Sequence, residues 1–280
     1  MPIAYIPSPS HGVWQLGPVP IRGYALCLVA GVIVAVWLAD RRYRAAGGQR
    51  RVMVDVATWA VPLGLIGARA YSVLTDYQLY FGRRDDWVTM VKIWDGGIGM
   101  PGGLALGFLG AWIACRRAGL PVGQVAGAAA PAIAIGQAIG SCSSWFNQQL
   151  YGRPSTLPWA LEIGPSHRLT GYESFVTFQP AFLYQVLWDL LTAAVVIWAA
   201  RRFAPTGDRV FALYLAVYAV GMFVVQTVLI DYSHHLLGLR TNEWVALLAF
   251  GGAAWYLYRT RHAHPAGRPA AAYGAVSRVS

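Results

Sequence analysis

The stretch PVGQVAGAAAPAIAIGQAIGSCSSWFNQQLYGR (Pro121–Arg153) carries no charged side chain before its last residue. Its first part, Pro121–Gly140, is apolar and about as long as a helix needs to be to cross hydrocarbon, roughly 20 residues. The second part turns polar without turning charged. Ser141, Ser143, Ser144, Asn147, Gln148 and Gln149 follow one another closely, and Gln137 lies one turn earlier. A helix facing lipid would not hold so many hydroxyls and amides, and a charged catalytic loop would hold more than Arg153.

Six further stretches have the length and apolarity of a span. All seven lie near Ile21–Ala39, Met53–Leu74, Ile98–Cys115, Pro121–Gly140, Ala181–Ala200, Val210–Ile230 and Trp244–Tyr258. The runs are continuous rather than alternating, which argues for helices over a β-barrel. Composition agrees: 56% of the 280 residues are hydrophobic and 12% charged, and mean hydropathy is +0.44. A soluble domain carries about a quarter charged residues. Twelve Trp and fifteen Tyr suit aromatic belts at the two membrane surfaces.

The formal charge of +10 invites a nucleic-acid reading. The basic residues argue against it, because they sit in short connections between apolar runs, where they set topology and meet anionic lipid. Of the 22 Lys and Arg, 14 fall in segments 40–51, 116–120 and 201–209 and in the tail from Arg259. By the positive-inside rule those segments are cytoplasmic. The expected fold is therefore an all-α polytopic membrane protein of seven transmembrane helices, N-terminus outside and C-terminus cytoplasmic. The long outer loops, 75–97 and 145–179, would supply a small extracytoplasmic cap. Residues 1–261 read as one transmembrane domain and 262–280 as a disordered, Ala/Pro/Gly-rich cytoplasmic tail. The opening residues lack a basic region and a small-residue cleavage site, so no cleavable signal peptide is expected.

Two spans look weak as helices. Glycines and Pro101 crowd Gly96–Gly107, and Pro131, Gly136 and Gly140 crowd the end of the fourth span. Such a pattern reads either as irregular backbone lining a wet cavity or as close helix packing through small residues. The polar cluster from Gln137 to Gln149 favours a cavity. Ionisable residues inside the spans are few: Arg69 in the second and Asp189 in the fifth, with Asp55 and Glu243 near span ends, within reach of interfacial water. Arg69 asks for a buried partner or a lipid phosphate. His234 and His235, beside Asp231, read as solvated rim residues. Cys27, Cys115 and Cys142 are scattered, with no spacing that suggests a metal site, and no cofactor is called for.

Six segments, in order, resemble the bacterial phosphatidylglycerol–prolipoprotein diacylglyceryl transferases, the actinobacterial type most closely. They are GPVPIRGYALC (Gly17–Cys27), GARAYSVLTDYQLYF (Gly67–Phe81), KIWDGGIGMPGGLALG (Lys92–Gly107), FNQQLYGRPSTLPWALEI (Phe146–Ile163), TFQPAFLYQ (Thr177–Gln185) and GLRTNEW (Gly238–Trp244). The resemblance implies a multi-pass protein of the bacterial plasma membrane. It also implies a reaction: the sn-1,2-diacylglyceryl group of phosphatidylglycerol passes to the lipobox cysteine thiol of a preprolipoprotein, and glycerol-1-phosphate leaves. The partners it implies are phosphatidylglycerol or another anionic phospholipid, and signal peptides. Such a reaction needs cations around the phosphate, a thiolate nucleophile, and both substrates in line.

The family's loop reads Gly-Arg-x-Gly-Asn-x-x-Asn-x-Glu-x-x-Gly-Arg. Gly140–Arg153 keeps Gly140, Asn147, Gly152 and Arg153, but has Ser141 for the first Arg, Ser143 for the second Gly, Ser144 for the first Asn and Gln149 for Glu. In the sixth span the family's Gly-Arg-Phe-x-x-Glu is GMFVVQ, with Met222 and Gln226. Pro101 stands in place of a His that many members carry, and Gln179 and Gln185 replace a His and a Glu. Tyr24, Arg240 and Asn242 match. By this comparison no catalytic residue is intact at Pro101, Ser141, Ser144, Gln149, Met222 or Gln226. Lipid binding would rest on Tyr24, Arg69, Asn147, Gly152, Arg153, Arg240 and Asn242. Stranding one charge of a buried pair costs about 3–5 kcal/mol, so Ser141 with Gln149, and Met222 with Gln226, read as paired neutralisations. Impaired or absent transfer, in a non-catalytic paralogue, and an active transferase with a remodelled site are the two readings left open. A small-molecule transporter is the less favoured third reading, since it would call for inverted repeats and none is seen.

Overall fold

The computed structural model describes residues 5–9, 12–16, 19–75, 100–230 and 235–261. Long helices follow the apolar runs: α1 (Gly23–Ala45), α2 (Val52–Thr75), α3 (Met100–Arg117), α4 (Val122–Ser141), α6 (Ala181–Phe203), α7 (Gly207–Val228) and α8 (Thr241–Thr260), with a short α5 (Ser143–Asn147) after α4. Among the described residues five stretches are long and apolar enough to cross a membrane: α1, α2, α4 continued into α5, α6 and α7. At 1.5 Å per residue the 23 residues of α1 reach about 34 Å. Large apolar side chains stand bare on the outer faces, among them Leu26, Ile33 and Trp37 of α1, Leu187, Leu191 and Trp198 of α6, and Leu248 and Trp255 of α8. Water would not tolerate so much exposed hydrocarbon, whereas acyl chains cover it.

α4 is the hub, packing on α1, α6 and α7. Its buried face is made mostly of small residues: Gly127, Ala130, Ala132, Ala134, Gly136 and Ala138. Small residues matter here because no hydrophobic force draws helices together inside lipid, so close packing must do so. A Cβ on Gly136 would lie 2.7 Å from the Gly31 carbonyl oxygen, and one on Gly31 would lie 2.6 Å from that of Gly136. The α1 and α4 backbones therefore touch. The second pair, α2 and α3, meets the same way: Cβ atoms on Gly67 and Gly102 would come within 2.3 and 2.1 Å of each other's carbonyl oxygens. Of the two readings of these glycines, close helix packing through small residues is the one observed. α4 runs unbroken through Pro131, and α3 is helical from Met100, with residues 96–99 outside the described set.

The helices are not quite the whole of the fold. β1 (Val13–Leu16) pairs with β2 (Val19–Arg22), β3 (Leu161–Glu162) with β4 (Thr177–Phe178), and β5 (His235–Leu236) with β6 (Leu239–Arg240), all antiparallel. The β3–β4 pair belongs to a cap between α5 and α6, where the sequence expects one. Tyr151, Leu161, Ile163, Phe178 and Phe182 form its core. Tyr151 and Phe178 rings lie 4.9 Å apart. The Tyr151 hydroxyl donates to the His167 carbonyl at 2.7 Å and accepts from the Leu169 amide at 3.0 Å. Segment 5–9 is stitched to this cap: the Ile6 amide donates to Ala160 O at 2.7 Å, the Glu162 amide to Ile6 O at 3.0 Å, and the Ser8 hydroxyl to Glu162 O. The tail 262–280, segment 76–99 and residues Asp231 and His234 lie outside the described residues.

Candidate functional site

Three helices present polar side chains to the bundle interior at helical spacing, i and i+4 apart. α4 contributes Gln137 and Ser141, α6 contributes Gln185 and Asp189, and α7 contributes Tyr214 and Tyr218. Asp189 is fully buried. Its Oδ1 accepts from Gln185 Nε2 at 2.8 Å, and the Ser141 hydroxyl lies close enough to stabilise the carboxylate. Oδ2 has no partner at hydrogen-bond geometry, and neither has the buried Thr192 hydroxyl one turn away. The Tyr214 hydroxyl donates to Gln137 Oε1 at 2.7 Å, and its ring stacks on Tyr218 with centroids 5.8 Å apart. No ion pair reaches Asp189; among the described residues Arg44 and Asp40 form the one ion pair. A buried carboxylate without a cation is costly.

Met222 and Gln226 continue the α7 stripe at the same spacing towards the cap. Met222 is buried and Gln226 half-buried. On the motif loop, Ser141 ends α4 half-buried, Ser144 is buried in α5, Asn147 is half-buried and Gln149 is exposed. Ser141 meets Asp189, while Gln149 is exposed. Two members of the polar cluster serve separate contacts. Gln148 holds a left-handed turn (φ 51°), with its amide nitrogen donating to Pro9 O at 3.3 Å and its Oε1 accepting from the Gly164 amide at 2.6 Å. Gln137 serves Tyr214.

Two of the residues expected to bind lipid, Gly152 and Arg240, meet at Leu229. Gly152 bridges to Leu229, and its amide donates to Gln179 O at 2.8 Å. A Cβ there would sit 2.8 Å from Val228 O, so only glycine allows the cap this close to the end of α7. The same Leu229 carbonyl accepts from an Arg240 guanidinium nitrogen at 2.5 Å. Arg153, exposed, is the next residue along. Asn242 is half-buried in the first turn of α8. Tyr24 is half-buried in the first turn of α1, beside Gly23, which packs on Phe146 of α5. Arg69 is buried on α2, the helix that packs on α3. Pro101 lies in the first turn of α3.

Three residues read differently from their sequence context. Glu243 is buried rather than wetted at the interface, and accepts the Arg240 amide at 2.8 Å to close the first turn of α8. Asp55 is exposed in the first turn of α2, as expected. Tyr214 and Tyr218 were missed, although their spacing with Met222 and Gln226 was there to be counted. Cys115 is buried, Cys27 and Cys142 are half-buried, and all three are free thiols.

Comparison with known proteins accounts for this framework. The family model described as prolipoprotein diacylglyceryl transferase matches residues 11–259. The chain is 50% identical over 265 residues to phosphatidylglycerol–prolipoprotein diacylglyceryl transferase 2 of Streptomyces coelicolor, covering 95% of this chain and 84% of that protein. It is 52% identical over 259 residues to the transferase of Streptomyces griseus, covering 92% and 78%. It is 44% identical over 268 residues to that of Mycobacteroides abscessus, covering 91% and 78%. The chain belongs to the prolipoprotein diacylglyceryl transferase family, as a multi-pass protein of the bacterial plasma membrane.

Proposed function

We propose that this chain is a diacylglyceryl transferase of lipoprotein biosynthesis whose electrostatic grip on the substrate phosphate is weakened, so that transfer is impaired. The substrates are phosphatidylglycerol and the signal peptide of a preprolipoprotein, as in the names of its relatives. The lipobox thiolate attacks the glyceryl carbon that carries the phosphate. A C–S bond forms, the C–O bond to phosphate breaks, and glycerol-1-phosphate leaves with the electron pair. Seven spans, with the N-terminus outside and the C-terminus cytoplasmic, put the cap and the Gly152–Arg240 group on the outer side, where signal peptides emerge. Residues 1–261 act as one domain, and 262–280 form a cytoplasmic tail.

One observation carries this reading. The binding framework stands, with Gly152 and Arg240 sharing Leu229, while Ser141, Ser144, Gln149, Met222 and Gln226 bear no charge. Arg240, Arg153 and Arg69 are the cations left to hold phosphate, with Tyr24, Asn147 and Asn242 as hydrogen-bonding partners. Losing one charged stabiliser typically lowers a rate by about 10²–10³. A second reading, an active transferase with a remodelled site, is favoured by Asp189, a buried carboxyl beside Ser141.

The test is direct. Purified protein is supplied with phosphatidylglycerol and a lipobox peptide, and thioether-linked diacylglyceryl is measured. A restored chain carrying Ser141→Arg, Ser144→Asn, Gln149→Glu, Met222→Arg and Gln226→Glu is run alongside. Impairment predicts that the restored chain exceeds the native one by two or more orders of magnitude, that is about 10² or more. Equal brisk turnover by both chains refutes impairment and leaves the transferase reading in place. No transfer by either, with lipid binding intact, refutes the transferase reading for this chain.

A further inference from the structure

A leucine stands where a tight turn asks for asparagine or glycine. β5 and β6 are joined by two residues, Leu237 and Gly238, and both take the left-handed region, at φ 52° and 84°. Such a hairpin favours Asn-Gly or Gly-Gly, because a Cβ crowds the backbone at positive φ. Leu237 carries that strain without burying its side chain. It is 86% exposed, more than any other large apolar residue among those described. The two next most exposed, Leu74 and Leu248, stand on the long helices α2 and α8. The hairpin also sits at a fixed height. Arg240, which ends β6 and precedes the first turn of α8, donates to the Leu229 carbonyl at the end of α7. Leu237 therefore projects from the level at which two long helices meet their connection.

The cap has a matching feature beside α6. Its chain runs along β4, with the Ser155 amide donating to Thr177 O at 3.0 Å, and turns back towards β3 where the Ala160 amide donates to Leu157 O at 2.9 Å. This turn leaves Leu157 and Trp159 exposed. Trp159 is nonetheless fixed, because its indole N–H donates to the Tyr184 hydroxyl at 3.3 Å. Tyr184 lies in the first turn of α6, and the exposed Leu187 and Leu191 follow it at i+3 and i+7 on the same face. The cap loop thus extends a lipid-facing stripe past the end of its helix. Trp and Tyr, with an apolar body and one polar hydrogen, are the side chains suited to the bilayer interface. Both features continue faces that acyl chains cover, and that continuity selects phospholipid over a peptide or a second copy as what covers them.

We propose that the tip of the β5–β6 hairpin, at Leu237, and the cap loop of Leu157 and Trp159 are two anchors that insert into the phospholipid leaflet on the cap side. The cap is then seated in the leaflet rather than held above it. This rests on the membrane placement of the chain, not on its transferase chemistry.

The test measures contact with water and with hydrocarbon. Wild-type full-length protein, in nanodiscs of palmitoyl-oleoyl phosphatidylglycerol and phosphatidylcholine, is exposed to hydroxyl radicals, and oxidation is mapped by mass spectrometry. Leu237 and Trp159 are expected to be oxidised several-fold more slowly than in free peptides of the same sequence. Nitroxide labels on Leu237→Cys and Leu157→Cys, with Cys27, Cys115 and Cys142 replaced by Ala, give a second measurement. Both labels are expected to collide more often with oxygen, which concentrates in hydrocarbon, than with a water-soluble nickel chelate. The wild-type oxidation map stands alone should the labelled chains fail to fold. Oxidation of Leu237 or Trp159 as fast as in the free peptide, or a preference for nickel at either label, overturns the proposal. So does shielding that arises only when a lipobox peptide is added, which assigns the surface to the signal peptide. Dipolar broadening between labels of separate chains assigns it to a second copy and overturns the proposal as well.

Discussion

Asp189 allows the electrostatic account to be tested without any substrate, through a double-mutant cycle with Ser141. Asp189 is fully buried, with one oxygen bonded to Gln185 at 2.8 Å and the other without a partner at hydrogen-bond geometry. Ser141 is its neighbour on α4. Ser141→Arg would bring a guanidinium against that second oxygen. Two unit charges about 4 Å apart at an effective dielectric of 20 attract by about 4 kcal/mol. Ordering an arginine side chain takes back roughly 1.5–2 kcal/mol. The expected coupling is thus about 2–3 kcal/mol. Asp189→Asn keeps the acceptor for Gln185 and removes the charge, so it should be neutral or slightly stabilising alone. Ser141→Arg should be tolerated in the native background and should lose the whole coupling in the Asp189→Asn background, where the cation has nothing to meet. Unfolding in mixed detergent and sodium dodecyl sulfate micelles gives all four stabilities. A coupling below about 0.5 kcal/mol, inside the range expected for independent sites, would refute the idea that Asp189 is the surviving half of a charge pair centred on position 141.

Other expectations follow from individual contacts. Gly136→Ala, whose Cβ would stand 2.7 Å from Gly31 O, should force α1 and α4 apart and destabilise by about 1–3 kcal/mol in the same unfolding assay. Arg240→Gln should loosen the Leu229 contact made at 2.5 Å and weaken phosphatidylglycerol retention by roughly tenfold, measured by lipid titration; unchanged retention would remove Arg240 from the lipid site. Tyr151→Phe leaves the Leu169 amide and the His167 carbonyl without their shared hydroxyl, which should lower cap stability by about 1–3 kcal/mol in thermal melts. Burial holds the Tyr151 phenol above its ordinary value, outweighing the Leu169 amide and Arg168, which pull it down. The stability this gives is present below the unfolded phenol's value, about 10, and is lost as pH rises through the higher folded one. The alkaline decline of the melting curve should therefore flatten in Tyr151→Phe.

The spans were legible because apolar length is a one-dimensional signal. Their ends were less so. α1 continues past Ala39 to Ala45, because Arg41, Arg42 and Arg44 leave the hydrocarbon without leaving the helix. The glycines were ambiguous for a different reason. A sequence shows that Gly136 lacks a Cβ but not that Gly31 of another helix stands against it. The neutral positions of the motif were readable one by one, and Arg240 with Gly152 proved to share a contact no spacing announces. Gln148 and Glu243 looked like site or rim residues and turned out to brace local backbone. That Ser141 meets Asp189 was not legible, because the two are 48 positions apart in sequence and neighbours only in space.

The stitching of Ile6 and Ser8 into the cap has a consequence for how the molecule is made. Their partners, Ala160 and Glu162, are synthesised more than 150 residues later, since Ser8 and Glu162 are 154 positions apart. Closing a chain of that length costs about 4–5 kcal/mol of entropy by the logarithmic loop rule. The bundle lowers this cost by docking α4 on α1 first and shortening the gap. The cap should therefore be the last part to become protease-resistant as the nascent chain leaves the ribosome, and a bulky fusion placed ahead of Ile6 should delay that step while leaving helix insertion untouched.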